Sequence, residues 1–159
     1  MARSPALFAV LVGGFVAGAL DIIYAIVFYG LRGVPADRIL QSIASGLLGS
    51  EAYRGGWATA AFGLFLHFVI AFAAAAIFFA ASRRLPFINR RVVVSGMLFG
   101  VAVYGVMNLI VLPLSAYPHK ISFPPLILIT GLLAHMFLFG LPIALATRQA
   151  SKRDLRQQR

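Results

Sequence analysis

The chain has 159 residues, of which 61% are hydrophobic and 11% charged, and its formal net charge is +10. A water-soluble domain of this length needs far more polar surface, so the composition excludes one and predicts an all-α integral membrane domain. The chain contains no cysteine, which excludes disulfides and thiolate metal sites. Its basic residues cluster at the ends of apolar runs instead of forming a face interleaved with aromatic residues, so no nucleic-acid partner is predicted.

Four apolar runs of the chain are long enough to cross a bilayer, which takes about 20 residues of α-helix. An open sheet cannot satisfy its backbone hydrogen bonds in lipid, so all four runs are predicted to be transmembrane helices packed in one bundle. Pro113 and Pro142 are expected to end or bend the third and fourth helices. The predicted spans of this single domain, 1–159, are 6–29, 57–81, 92–116 and 123–147, and a basic cytoplasmic tail, 148–159, follows them.

Lysine and arginine are distributed unequally between the two sides of the predicted bundle. Ten of the fourteen lie on the side that holds the two termini and the loop between spans two and three. Because cytoplasmic loops are rich in these residues, both termini are predicted to be cytoplasmic in a multi-pass inner-membrane protein. The same residues predict contact with anionic lipid head groups at the cytoplasmic face. The ten are Arg3, Arg83, Arg84, Arg90, Arg91, Arg148, Lys152, Arg153, Arg156 and Arg159.

The loop after span one contains a stretch, 36–48, with an amphipathic pattern of helical period. Its apolar residues recur on one helical face, and they are Ile39, Leu40, Ile43 and Leu47. Polar residues occupy the opposite face, and they are Asp37, Arg38, Gln41, Ser42 and Ser45. The pattern predicts a short external amphipathic helix that buries its apolar face on the outer surface or on the bundle. Two roles stay open, a helix that only packs and a lid over a cavity.

Each predicted span carries one strongly polar residue away from its ends. Counted at about 1.5 Å per residue, all four lie roughly 12–18 Å below the external ends of their spans. Residues at one depth in four helices are placed to meet inside the bundle, so we predict a buried polar layer as the candidate binding site. Its members are Asp21, His67, Asn108 and His135, with Tyr104 and Ser115 as supporting residues on the face of Asn108.

Asp21 is the only carboxylate inside any apolar run, and a carboxylate in a membrane helix usually faces protein or water. Gly14, Gly18 and Ala25 lie on its helical face, so another helix can approach closely there. His67 lies on a similar stripe of small residues in span two. We therefore expect Asp21 to face inward with His67 as its partner.

The polar layer is compatible with three interpretations. In the first, its residues fix helix register through hydrogen bonds, in a structural or accessory subunit of a membrane complex. In the second, they form a proton, ion or small-solute transport site. In the third, His67 and His135 bind haem or a metal ion, and no other cofactor is implied. No nucleophile with a matched base is evident, so the chain is not predicted to be an enzyme.

Span three carries small residues at Gly96 and Gly100, followed by Gly105. This spacing lets two helices approach closely. Packing within the chain is the first expectation, and a homodimer face is the second.

Three stretches of the chain resemble a known group of proteins. They are 43–49, 63–68 and Met107-Asn108 together with 112–115. These stretches resemble small four-span bacterial inner-membrane proteins that are distantly similar to the YagU-like proteins. The resemblance implies a bacterial inner membrane and four helices over nearly the whole chain, and it implies no substrate or catalytic residue.

Overall fold

Four long helices dominate the structure, a computed structural model that describes residues 4–157, with side chains through 153. All four are long and apolar enough to cross a bilayer, and the described residues contain no β-strand, which confirms the all-α membrane fold. The predicted basic residues Arg3 and Arg159, and the side chain of Arg156, lie outside the described part. In chain order the elements are α1 (Pro5–Gly30), α2 (Ala36–Leu48), a 3₁₀ turn (Gly49–Arg54), α3 (Gly56–Arg84), α4 (Pro86–Arg90), α5 (Val92–Val106), a π-helical segment (Met107–Val111), α6 (Leu112–Leu114), α7 (Pro125–Ala134), a second π-helical segment (His135–Gly140) and α8 (Leu141–Gln157).

The two ends of the bundle differ in charge. The end that carries α2 is called the α2 end below. The opposite end is called the basic end, because its described residues include Arg83, Arg84, Arg90, Arg91, Arg148, Lys152 and Arg153. The last helix continues well beyond the predicted limit at 147, since neither proline nor glycine follows Pro142 to stop it.

Each π-helical segment ends two residues before a proline, at Val111 before Pro113 and at Gly140 before Pro142. The N–H of Leu112 bonds to the carbonyl of Met107, five residues back, and the N–H of Leu141 bonds in the same way to Met136. Proline lacks an N–H and crowds the preceding turn, so the helix before it widens. The expected bends at Pro113 and Pro142 therefore take the form of π-helical turns.

Spans three and four pack through glycines in the basic half of the bundle. A Cβ added to Gly100 would overlap the carbonyl of His135, and one added to Gly140 would overlap the backbone of Gly96. Gly96 and Gly100 are thus used inside the chain and are not available as a homodimer face. Gly105, by contrast, has no neighbour within 4 Å of its Cβ position.

α1 packs against two helices through adjacent small residues. Gly13 lies against Ile143 and Ala146 of α8, whereas Gly14 and Gly18 lie against phenylalanines of α3. The predicted small-residue stripe therefore brings α1 into close contact with α3. This contact sets the rotation of α1 and turns Asp21 toward the interior.

α2 packs on α3 with a face that matches the predicted one only in part, since Ile39 and Leu40 of the apolar stripe are buried as expected. Gln41 and Ser45, expected on the polar side, are 1% and 0% exposed, whereas Leu47 of the apolar stripe is 65% exposed. The carbonyl of Leu40 lies so close to Gly63 that no Cβ would fit there. Gln41 Nε2 donates to the carbonyl of Gly56 at 2.8 Å, which offsets part of the cost of burying an amide. Close approach at a glycine thus shifts the buried face of α2 away from Leu47 and toward Gln41 and Ser45.

The loop 115–124 holds the other side of α2. The N–H of Ala116 donates to the carbonyl of Gly46 at 2.9 Å. The ring of His119 lies edge-on to Tyr53 and Tyr117, with centroids 5.5 and 5.4 Å away. Burial raises the pKa of the Tyr117 phenol, and the neighbouring Tyr53 raises it further. The exposed His119 ring is therefore part of the contact that holds this loop.

Candidate functional site

A cavity of about 430 Å³ lies in the α2 half of the bundle, between α1, α2 and α3 on one side and spans three and four on the other. All four members of the predicted polar layer line it: Asp21, His67, Asn108 and His135. Toward the basic end the cavity stops at a core that contains Phe78, Phe139 and Ile143, with Phe99 packed against it. The site is therefore a largely apolar chamber with the polar layer in its wall, above an apolar plug.

Asp21 and His135 form the closest charged contact of the cavity. Asp21 Oδ1 lies 3.7 Å from His135 Nδ1, and the two side chains are 15% and 19% exposed. The same nitrogen lies 3.1 Å from the carbonyl of Gly131, to which a protonated Nδ1 donates. The expected pairing of Asp21 with His67 is wrong, because span four places His135 beside the carboxylate instead.

His67 bonds to the backbone of α1. Its Nε2–H donates to the carbonyl of Gly18 at 2.9 Å, three residues before Asp21. α1 and α3 lie close together at this point, because a Cβ at Gly18 would meet Phe68 at 3.0 Å and Ala71 at 3.1 Å. His67 thus fixes the register of α1 against α3 while its ring lines the cavity.

Asn108 and His135 each lie in a π-helical segment. Asn108 Nδ2 donates to the carbonyl of Tyr104 at 2.9 Å, one turn earlier in the same span. π-helical turns are rare and occur often at functional sites, where they redirect side chains. Both turns in this chain lie beside the cavity.

Aromatic residues with hydroxyl groups surround the polar layer. Four of the five tyrosines line the cavity, and they are Tyr24, Tyr29, Tyr104 and Tyr117. The Tyr104 ring lies over Gly131 and meets the His135 ring edge-on at 5.1 Å. Sequence reasoning identified Tyr104 alone. Tyr24 and Tyr29 follow Asp21 at helical spacing, so their place on its face could have been predicted from the sequence. The position of Tyr117 could not, because it depends on how the loop 115–124 folds back.

Ser115, predicted to support Asn108, is not a lining residue of the cavity. The helix ends at Leu114, and Ser115 is extended with ψ 175°. Its hydroxyl donates to the carbonyl of Leu112 at 2.8 Å. The helical face shared by Asn108 and Ser115 therefore breaks before it reaches the serine.

A metal site would draw on the two histidines of the cavity. Among the side chains described, those of residues 4–153, no group of three or more His, Asp and Glu is placed to hold a metal ion. His67 and His135 each direct a ring nitrogen at a backbone carbonyl. The haem or metal interpretation stays a prediction without a further ligand to support it.

Comparison of the chain with protein-family models, with curated proteins and with solved structures gives no match. The resemblance to small four-span bacterial proteins thus stays a prediction. The lining of this chamber in a four-helix membrane bundle includes a carboxylate, two imidazoles, an amide and four phenols among apolar side chains.

Proposed function

We propose that this chain is a non-enzymatic transport protein of the bacterial inner membrane. It takes a small solute into the cavity from the external side and exchanges a proton at the Asp21–His135 pair. The basic end then faces the cytoplasm, where its arginines and lysines contact anionic lipid head groups. At that end Arg148, Lys152 and Arg153 lie on one face of α8, where they can contact the phosphate of such a head group.

The one observation that carries this proposal is the environment of the Asp21 carboxylate. Among the described residues its only ion-pair contact is the imidazole of His135, at 3.7 Å. A carboxylate inside a membrane is costly unless a proton or another cation accompanies it. The chamber beside Asp21 supplies room for that companion.

The shape of the bundle supports transport more than a purely structural role. Polar residues that only fix helix register would close on one another and exclude space. Here they surround a chamber whose mouth, at the α2 end, includes the exposed residues Lys120 and Ser122. Phe78 and Phe99, with ring centroids 4.8 Å apart, help to close the way to the basic end. This is the arrangement expected of a site open to one side.

The test uses proteoliposomes loaded with a pH-sensitive dye. A pH gradient is imposed, and cationic, zwitterionic, neutral and anionic solutes are added one class at a time. At least one condition is expected to change the luminal pH in the wild type. Asp21→Asn is expected to reduce that signal to the level of empty liposomes, because an amide neither carries a titratable proton nor balances a cation.

The matched control is Asp37→Asn, which makes the same chemical change in the first turn of α2, outside the cavity lining. It is expected to keep the wild-type signal. Equal signals from the two variants, or no proton movement by the wild type under any condition, would contradict the proposal.

A further inference from the structure

Resting on the proposed function, we infer that the solute is a small organic cation, an amine or a quaternary ammonium ion, held between the Asp21 carboxylate and the tyrosine rings. Four features of the cavity favour such a cation: the charge of its lining residues, their aromatic character, the size of the chamber and the position of His135.

The charge of the lining favours a cation. Asp21 is the only acidic residue among the described residues that line the cavity, and Lys120 is the only lysine or arginine. Lys120 is exposed at the mouth, where water screens its charge. Asp21 lies at the floor, where the lower dielectric makes a charge interaction stronger than it is in water. A cation that reaches the floor therefore meets the stronger field.

The aromatic lining points in the same direction. The face of a tyrosine ring attracts a cation, and cages of such rings recognise quaternary ammonium groups. Tyr24 lies one turn from Asp21 on α1, and Tyr104 reaches the same region across Gly131 to touch His135. The rings and the carboxylate thus border one chamber.

The size of the chamber excludes a bare metal ion as the preferred occupant. Hard metal ions are held by a compact shell of about six oxygen ligands. A chamber of about 430 Å³ with one carboxylate is too wide for that shell and lies in the range of sites for small organic ligands.

His135 makes cation binding compete with protonation. An imidazolium at His135 would pair with Asp21 across the 3.7 Å contact and repel an incoming cation. An imidazolium at His135 and a bound cation therefore compete for the same carboxylate. The titratable and charged groups that line the cavity with Asp21 come from α1, α3, span three, the loop 115–124 and span four, and they are Tyr24, Tyr29, His67, Tyr104, Tyr117, Lys120 and His135.

The test measures binding of radiolabelled choline to the purified protein, with competition by its neutral isostere, in which carbon replaces the ammonium nitrogen. Choline is expected to bind saturably to the wild-type protein. The isostere is expected to compete at least about tenfold less well than unlabelled choline. Both measurements use the wild-type protein, so they do not depend on the folding of a variant.

Four variants extend the test. Asp21→Asn should lose choline binding, whereas Asp37→Asn should keep it. Tyr104→Phe should keep binding because the ring face remains, and Tyr104→Leu should weaken it roughly three- to tenfold. Equal competition by choline and the isostere, or binding retained by Asp21→Asn, would overturn the inference.

The result separates this inference from the proposed function. If neither choline, ethanolamine nor tetraethylammonium binds, but a neutral or anionic solute gives an Asp21-dependent pH signal in proteoliposomes, the solute class is wrong and the transport function stands. If no solute class gives that signal, both fail.

Discussion

Gly100→Ala is expected to destabilise the bundle by on the order of 2 kcal/mol, the typical cost of adding a methyl group to a closely packed site. The added Cβ would overlap the carbonyl oxygen and carbon of His135. Those are backbone atoms of a packed helix, so they cannot turn aside as a flexible side chain can. The backbone that would have to move is that of His135 itself. Its imidazole would move with it, so the Asp21–His135 distance of 3.7 Å should also change.

The measurement is the midpoint of thermal unfolding in detergent, determined from the loss of the helical circular dichroism signal. Gly105→Ala, five residues further along the same span, is the matched control because no atom lies within 4 Å of its Cβ position. Since alanine is the better helix former, this control is expected to be neutral or slightly stabilising. Equal midpoints for the two variants would show that spans three and four do not pack through Gly100.

Gly63→Ala is expected to lift α2 away from α3. The new methyl group would overlap the carbonyl of Leu40, and the nearest backbone atoms of α2 would have to move as a unit. Because α2 lines the cavity through Ile39, Ser42 and Ile43, its displacement should widen the chamber. This prediction therefore also tests whether α2 acts as a lid.

The absence of cysteine from the chain makes the position of α2 directly measurable. Ser45→Cys places a thiol at a site that is 0% exposed, so it should react slowly with a maleimide. Adding Gly63→Ala should accelerate that reaction by at least about tenfold, as expected when a local unit opens. Gly30→Ala, which has open space around its Cβ position, should leave the rate unchanged. A rate that does not respond to Gly63→Ala would mean that α2 is not held at this contact.

The depth of the polar layer could be predicted from the sequence, but the contacts within it could not. The rise per residue of a helix is constant, so depth in the bilayer follows from counting, and Asp21, His67, Asn108 and His135 do border one cavity. Counting does not determine which side chains touch. The partner of Asp21 depends on the order of the helices around the bundle, and the structure places His135 there.

The face that α2 buries is a second feature that its own sequence does not determine. An apolar stripe predicts the buried face when the surface below it is uniform. The surface below α2 is not uniform, because Gly63 allows the backbone to approach and the carbonyl of Gly56 accepts a hydrogen bond from Gln41. The helix therefore turns Gln41 and Ser45 inward and leaves Leu47 exposed.

Local sequence is sufficient for the four membrane helices, for the short helix 36–48 and for the depth of the polar residues, because each depends on hydrophobicity and helical rise along one segment. The rotation of each helix about its axis cannot be predicted from one segment. It depends on where glycines let backbones meet and on the two π-helical turns, each of which shifts the phase of the side chains beyond it. Contacts between distant segments thus select the Asp21–His135 pair, the tyrosine lining and the open chamber.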